Sequence, residues 1–258
     1  MQANKPAFSF IQFIKCINTI VMEKKMKIKI KKFEIMLGVC ILILVALATT
    51  QGIKMAQTIR MTKEKKTVVI DAGHGGVDPG KIGVNQALEK DINLEIAKRV
   101  QMYLEQNDIH VIMTRDSDDA LYDADSKNKK VQDLKRRMDI IEGSGAEFTI
   151  SIHQNSYHDE GCKGAQVFYH GKSVHGKELA ECLQSQLIAG VDPDNNRVAK
   201  ANNSYYLLKE TGIPTAIVEC GFLSNWEESV LLIEEDYQDK LAWNIAMGII
   251  KCLNLNKE

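Results

Sequence analysis

Residues 67–80, which read TVVIDAGHGGVDPG, decide the fold. The first six form an apolar run of strand length, and an imidazole follows at His74 on a loop that its glycines keep tight and exposed. Two further apolar runs also end in a reactive side chain, one in His153 and the other in Glu219. In open α/β sheets, active sites form outside the carboxyl ends of the strands. The three runs therefore predict strands that end at one site.

Apolar runs of strand length alternate with helical periodicity along the rest of the chain. The pattern predicts strands at residues 67–72, 110–114, 148–153, 165–169, 205–208 and 215–219. It predicts helices at residues 89–106, 131–142, 174–189 and 236–253. Such alternation is typical of a single α/β domain, a mostly parallel twisted sheet flanked by helices.

Charge is distributed unevenly over the 258 residues. Ten of the 33 lysines and arginines lie in residues 1–60, but only two of the 34 acidic residues do. The remainder is therefore acidic, and it shows no clustered basic face of the kind that neutralises phosphates. We exclude nucleic acid as a partner.

A lysine-rich stretch leads directly into an apolar segment near the N-terminus. We expect the translation start at Met22 or Met26, because either residue would open a conventional signal sequence. A positively charged flank before an apolar run is typical of an export signal, and the lysines then stay on the cytoplasmic side of the membrane. The apolar core is shorter than the roughly 20 residues that span a membrane comfortably. We favour a retained membrane anchor, and a cleaved signal peptide is the alternative. The predicted parts are a basic leader at 1–34, a signal or anchor segment at 35–50, a linker at 51–66 and a folded domain at 67–258.

Four of the six cysteines lie in the exported part: Cys162, Cys182, Cys220 and Cys252. An even number in an exported domain permits disulfides. A domain of this size does not need them, however, and the sequence contains no C-x-x-C pair. We interpret these cysteines as small buried hydrophobes.

Four side chains form the candidate site: His74, Glu89, His153 and Glu219. A carboxylate at the end of a buried strand requires an opposite charge nearby, and a divalent metal would supply one. Glu89 begins a predicted helix. An acid at this position interacts favourably with the helix dipole, and this could be its only role. Two histidines and one glutamate are a zinc-ligand set that leaves a fourth position open for water.

Two further polar residues are candidates for contact with a substrate. Asn155 lies two residues beyond His153, on the same side of an extended chain, where it could hold substrate or orient a ligand. Arg115 ends another predicted strand. Contact with substrate carboxylates and an ordinary salt bridge both stay open for Arg115.

Four blocks of the sequence resemble the zinc-dependent N-acetylmuramoyl-L-alanine amidases of the Amidase_3 family. They are residues 69–80, Glu89, residues 151–156 and residues 218–225, and they occur in the order found in that family. The resemblance implies that His74, Glu89 and His153 hold zinc. It also implies that Glu219 is the catalytic base and acid in hydrolysis of the amide bond between N-acetylmuramic acid and L-alanine of peptidoglycan.

Within the family, the short domain, the N-terminal segment and Cys220 after Glu219 are most similar to the sporulation-specific amidases that mature spore cortex. Those enzymes strip peptides before muramic-δ-lactam forms, which implies a location between the forespore and mother-cell membranes. The alternatives are a vegetative wall-remodelling amidase, a zinc carboxypeptidase and a non-catalytic wall-binding module. The expected partners are peptidoglycan, the membrane through the N-terminal segment, and a protein that localises or activates the enzyme.

Overall fold

The computed structural model describes residues 10–62 and 65–255. The chain divides into two compact units, Met1–Glu64 and Lys65–Glu258. The start of the predicted leader, two residues of the predicted linker and the last three residues lie outside the described residues.

The first unit contains one long helix, α1, at Phe10–Thr62. Within it, Ile35–Lys54 is a 20-residue exposed segment with a mean hydropathy of 2.2, long and apolar enough to cross a membrane. An export signal has the same character, so both interpretations of this segment stay open. The helix continues through residues 51–62, which we expected to be a linker. These residues include Ala, Met, Gln and Lys and no proline, a composition that permits a helix to continue.

The second unit is an α/β domain. Its strands are β1 Thr67–Ala72, β2 His110–Met113, β3 Phe148–Asn155, β4 Gln166–Tyr169, β5 Lys200–Ala201 and β6 Thr215–Phe222. Its helices are α2 Glu89–Gln106, α3 Lys129–Gly143, α4 Val174–Gly190, α5 Tyr206–Glu210, α6 Trp226–Leu231 and α7 Glu235–Leu255. The strands form one sheet in the order β2-β1-β3-β6-β4-β5, and only the β4–β6 pairing is antiparallel. This arrangement confirms the predicted fold class.

Apolar side chains cover both faces of the sheet. Val68 and Ile70 of β1 belong to the large core that includes residues of α2, α4 and α7, whereas Val69 packs in a smaller core with residues of α3 and α5. Parallel strands covered on both faces have nearly continuous apolar sequences for this reason. By strand alternation, Asp71 points to the same face as Val69, towards α3.

Three local predictions were wrong. Residues 205–208 were expected to form a strand, but α5 occupies this region, because a short apolar run cannot distinguish a strand from a buried helix. Leu207 and Leu208 of α5 pack in two separate small cores. Helix α6 was missed, although the side chain of Asn225 caps it by accepting a hydrogen bond from Glu228 N. Strands β3 and β6 also extend past His153 and Glu219, which lie inside their strands and not at the last residue.

A buried ion pair joins the sheet to α3. The Asp71 carboxylate and the Arg137 guanidinium are almost completely buried, with 2.6 Å between Oδ1 and Nη1. Thr114 Oγ1 donates a hydrogen bond to Asp71 Oδ1 at 2.7 Å, and Ser151 Oγ donates one to Oδ2 at 2.5 Å. One carboxylate therefore links β1, β3, the residue after β2 and a helix.

The same guanidinium holds the loop that follows β1. Arg137 Nη1 donates a hydrogen bond to Ala72 O at 2.7 Å, and Nη2 donates one to His74 O at 2.5 Å. His74 has a φ of 62°, in the left-handed region that side chains other than glycine rarely adopt. Arg137 thus supports a backbone conformation that costs of order 1 kcal/mol or more.

Asp71 makes the stability of the domain sensitive to acid. Burial alone would raise the pKa of its carboxyl, but Arg137 and the hydroxyls of Ser151 and Thr114 lower that pKa to about 2. The pKa of aspartate in an unfolded chain is about 3.9. Because the folded pKa is the lower one, the carboxylate stabilises the fold above pH ~4. We expect this contribution, about 2 to 3 kcal/mol, to disappear as the pH falls from about 4 to about 2.

Asp71→Asn tests this dependence by urea denaturation at several pH values. At pH 7 the free energy of unfolding should fall by about 3 to 5 kcal/mol, because the buried Arg137 then loses one of its two carboxylate partners and keeps only the contact with Asp133. The difference from wild type should shrink towards pH ~2, where wild type loses the carboxylate as well. Glu181→Gln, in the exposed pair with Lys177, serves as the control and should change stability by less than about 0.5 kcal/mol. A difference between Asp71→Asn and wild type that does not vary with pH would contradict the prediction.

Candidate active site

The structure brings the three predicted ligands together. Glu89 Oε2 lies 3.2 Å from His74 Nε2, and Glu89 Oε1 lies 2.9 Å from His153 Nδ1. The two imidazole rings meet edge to face, with 5.0 Å between their centroids. One potential ligand atom from each residue lies within 4.8 Å of the others. The loop after β1, the first residue of α2 and the end of β3 thus form a group that could hold a metal ion.

Glu89 is the centre of this group. Its side chain is only 2% exposed, and its oxygens also accept hydrogen bonds from Lys81 N at 2.8 Å and Gln154 N at 3.1 Å. Burial opposes ionisation, but the hydrogen bonds and charges of His153 and His74 lower the pKa of Glu89 well below its usual range. The carboxylate is therefore anionic at neutral pH.

Asp78 orients the His74 ring, a role that the sequence did not reveal. Its Oδ2 lies 3.0 Å from His74 Nδ1, and its Oδ1 accepts a hydrogen bond from Gly80 N at 3.1 Å. Burial alone would lower the pKa of His74, but Glu89 and Asp78 together raise it. A carboxylate on the distal nitrogen is the usual way to orient a metal-binding histidine. The Asp-Pro-Gly sequence had indicated only a turn.

Two glycines allow the ligands to approach one another. A Cβ added to Gly73 would overlap the His153 ring. At Gly80, where φ is +67°, a Cβ would lie 2.5 Å from Glu89 Oε2 and 2.7 Å from His74 Cδ2. Only glycine permits this close approach of backbone to side chain.

Glu219 stands directly beside His153 in the pairing of β3 with β6. Its carboxyl is almost completely buried, and within the described residues its Oε2 has no hydrogen-bond partner. Oε1 lies 3.5 Å from the hydroxyl of Tyr205, a long contact. Burial raises the pKa of Glu219 to about 7, with His153 acting against the rise and Glu89 adding to it. Such a carboxyl can both take up and release a proton near neutral pH.

A bulge follows this pair of residues. Asn155 faces Phe222, so β6 contains one more residue than β3 between the two pairings. Bulges of this kind redirect side chains beside active sites. The Asn155 side chain is half-buried and accepts a hydrogen bond from Ser156 N at 2.8 Å, so its contact with a substrate stays a prediction.

The Arg115 side chain donates hydrogen bonds to backbone carbonyls, a role that neither sequence-based alternative had included. The residue is 5% exposed. Its Nε donates a hydrogen bond to Ala72 O at 2.9 Å, and its Nη2 donates to Gly73 O at 3.0 Å and to Lys90 O at 2.8 Å. The guanidinium thereby ties the loop after β1 to the first turn of α2. These contacts give the guanidinium a role in holding the backbone, and contact of Arg115 with substrate carboxylates stays a prediction.

A cavity of about 360 Å³ opens beside the candidate ligands. Its lining includes His74 and His153 and, at the start of α3, Lys129 and Lys130. Its apolar lining includes Leu134. The cavity is large enough for part of a small ligand, and it lies on the α3 face of the sheet.

The sequence matches a family model described as N-acetylmuramoyl-L-alanine amidase, Amidase_3, over residues 68–251. A germination-specific N-acetylmuramoyl-L-alanine amidase of Bacillus subtilis strain 168 is 40% identical over 189 residues. That alignment covers 72% of this chain and 79% of the relative.

Solved structures show the same likeness. The CwlD amidase of Clostridioides difficile, solved in complex with the GerS lipoprotein, is 42% identical with a TM-score of 0.72, over 74% of this chain and 100% of that one. The amidase AmiC2 of Nostoc punctiforme is 33% identical with a TM-score of 0.66, over 74% of this chain and 98% of that one. The match to the family model and the likeness to these relatives cover the whole region that builds the site, and the chain belongs to the Amidase_3 family of N-acetylmuramoyl-L-alanine amidases.

Proposed function

We propose that this peptidoglycan amidase uses zinc held by His74, Glu89 and His153, with Glu219 as the group that transfers protons. The observation that carries the proposal is the convergence of the three ligands beside a buried carboxyl without a hydrogen-bond partner for Oε2 among the described residues. Hydrolysis cleaves the amide bond between N-acetylmuramic acid and L-alanine and leaves the glycan strand intact.

The geometry of the three side chains fits zinc. Tetrahedral zinc with ligands at about 2.0–2.1 Å places neighbouring ligand atoms about 3.3 Å apart. The distances of 3.2 and 2.9 Å from Glu89 oxygens to the two imidazoles are close to this value. Two neutral imidazoles and one carboxylate leave a position for water. When bound, zinc would polarise the amide carbonyl and lower the pKa of water towards neutrality.

Glu219 can serve the two proton transfers that amide hydrolysis requires. As a carboxylate it takes a proton from the attacking water, and as a carboxylic acid it returns that proton to the departing nitrogen of L-alanine. The nitrogen must be protonated because an amide anion is a poor leaving group. A pKa of about 7 allows both states of Glu219 near neutral pH.

Glu219→Ala and His153→Ala should separate proton transfer from metal binding. Glu219→Ala should keep one zinc per chain, by elemental analysis, and lower the rate of peptide release at least ~10³-fold, because both proton transfers use this carboxyl. His153→Ala should lose zinc and activity together, because two protein ligands hold zinc poorly. His175→Ala, at an exposed histidine on α4, is the control. An active Glu219→Ala enzyme would refute the mechanism, and full zinc in His153→Ala would refute the ligand set.

Gly73→Ala tests the packing of the site without removing a ligand. The added methyl group should displace the His153 ring and lower both zinc content and activity at least tenfold. Gly143→Ala is the matched control, because a Cβ there meets no atom within 4 Å. Both variants should unfold at temperatures close to wild type in the presence of chelator. Full zinc content in Gly73→Ala would contradict the packing argument.

The likeness to a germination-specific amidase supports a role in the spore cortex, where removal of peptides precedes formation of muramic-δ-lactam. An extracytoplasmic location is common to cell-wall amidases, and we place this enzyme between the forespore and mother-cell membranes. The family match and the intact Glu219 favour this function over the carboxypeptidase and the non-catalytic module. Product analysis separates them, because an amidase releases whole peptides and a carboxypeptidase releases single amino acids.

We also propose that the enzyme depends on a tether or a protein partner. The apolar segment Ile35–Lys54 is suited to a tether, and the CwlD amidase was solved with a lipoprotein. A tether replaces a weak encounter by an effective concentration of order mM.

A soluble form that begins at Gln57 tests this dependence. It should bind isolated peptidoglycan weakly and cleave it slowly compared with the full chain in membrane vesicles, as measured by sedimentation and peptide release. Addition of a binding partner should restore the rate. Tight binding and full activity of the soluble form alone would refute the dependence and leave the zinc chemistry unaffected.

A further inference from the structure

We propose that the cavity beside the metal ligands binds a carboxylate of the peptide stem, with Lys129 and Lys130 as its cationic partners. This inference rests on the proposed amidase function. It assigns the cavity to the peptide side of the scissile bond and predicts a preference for stems with a free carboxylate.

The two lysines begin α3 and line the same cavity as His74 and His153. Lys129 is half-buried, and its ammonium lies 5.3 Å from the centroid of the Tyr122 ring. Lys130 is exposed. The N-terminus of a 15-residue helix adds partial positive charge at this point.

The acids around the cavity already have partners. Asp133 Oδ2 lies 2.6 Å from Arg137 Nε, and its Oδ1 accepts a hydrogen bond from Leu121 N at 2.7 Å. Asp78 contacts His74 and Gly80 N. Asp71 is paired with Arg137. Within the part of the chain that the structure describes, by contrast, neither cavity lysine is within ion-pair distance of an acid. The net effect is a cavity with positive charge available to a ligand.

The chemistry of the substrate decides which part occupies the cavity. On the glycan side, the lactyl carboxyl is consumed in the scissile amide, and the acetylated sugar carries no charge. On the peptide side, the residue after L-alanine is D-glutamate, whose α-carboxyl can be free. An extended chain spans at most about 3.3–3.6 Å per residue, so this carboxylate lies within about 7 Å of the scissile nitrogen. Only the peptide side thus offers a negative charge close to the scissile bond.

The test uses two muramoyl tripeptides that differ only in whether the α-carboxyl of D-glutamate is free or amidated. The variant is full-length protein with Lys129→Gln and Lys130→Gln. For the free acid, KM should rise about 2- to 5-fold with kcat almost unchanged, because a partly exposed ion pair is typically worth up to about fivefold. For the amidated substrate, KM should not change. Lys127→Gln with Lys135→Gln removes the same charge from exposed positions outside the cavity and should match wild type on both substrates.

A binding measurement tests the same preference for the free acid without catalytic turnover. The released tripeptides should bind Glu219→Ala protein with the same preference for the free acid, by calorimetry, and the preference should disappear when both cavity lysines are replaced. Equal binding of the two tripeptides, or an equal loss on both, would overturn the inference. Failure of wild type to release peptide from any muramoyl substrate would instead refute the proposed function, which the binding preference does not measure.

Discussion

The buried ion pair between Asp71 and Arg137 supports the rest of the site. A charged pair in the interior is stable only when its remaining polar atoms are also satisfied. Here the hydroxyls of Thr114 and Ser151 satisfy the carboxylate, and Asp133 and backbone carbonyls satisfy the guanidinium. Those carbonyls belong to the last residue of β1 and to His74 in the loop that follows. The interaction that fastens α3 to the sheet is therefore the same one that holds a proposed metal ligand in a left-handed conformation, so stability and the proposed function are coupled at one point.

The Glu89 carboxylate likewise has two roles, in the packing of the loop and in the proposed metal site. Its carboxylate contacts both imidazoles and accepts hydrogen bonds from two backbone amides, one of them at the end of β3. A buried carboxylate would be costly without these partners. They also hold the three proposed ligands close together, which would reduce the reorganisation needed to bind a metal ion. Gly73 and Gly80 are required for the same reason, because any side chain at these positions would separate the ligands.

The two faces of the sheet have different tasks. The face covered by α2, α4 and α7 contains most of the apolar core, including Cys182, Cys220 and Cys252, which are buried as free thiols. The face towards α3 and α5 carries less apolar packing, and there His153, Glu219 and the cavity occur together. Strand alternation produces this division, since Val218 and Cys220 point into the large core and Glu219 points away from it. His153 and Glu219 therefore lie on this face without disrupting the main core.

Local sequence patterns were enough to predict the α/β fold, the order of most elements and the four residues of the proposed reacting centre. These signals are local, because an apolar run, a helical period or a strand followed by His-Gly-Gly can be recognised without knowledge of the partners. The roles of Arg115 and Arg137 could not be predicted, since their partners come from distant parts of the chain. The contact of Asp78 with His74 depends on the folded conformation of the loop between them. Arg137 lies 63 positions from His74, whose carbonyl it holds, and resembles any helical arginine in the sequence. The helix at residues 206–210 was also set by packing, because a short apolar run suits either a strand or a helix. The antiparallel direction of β4 likewise became known only from its pairing with β6.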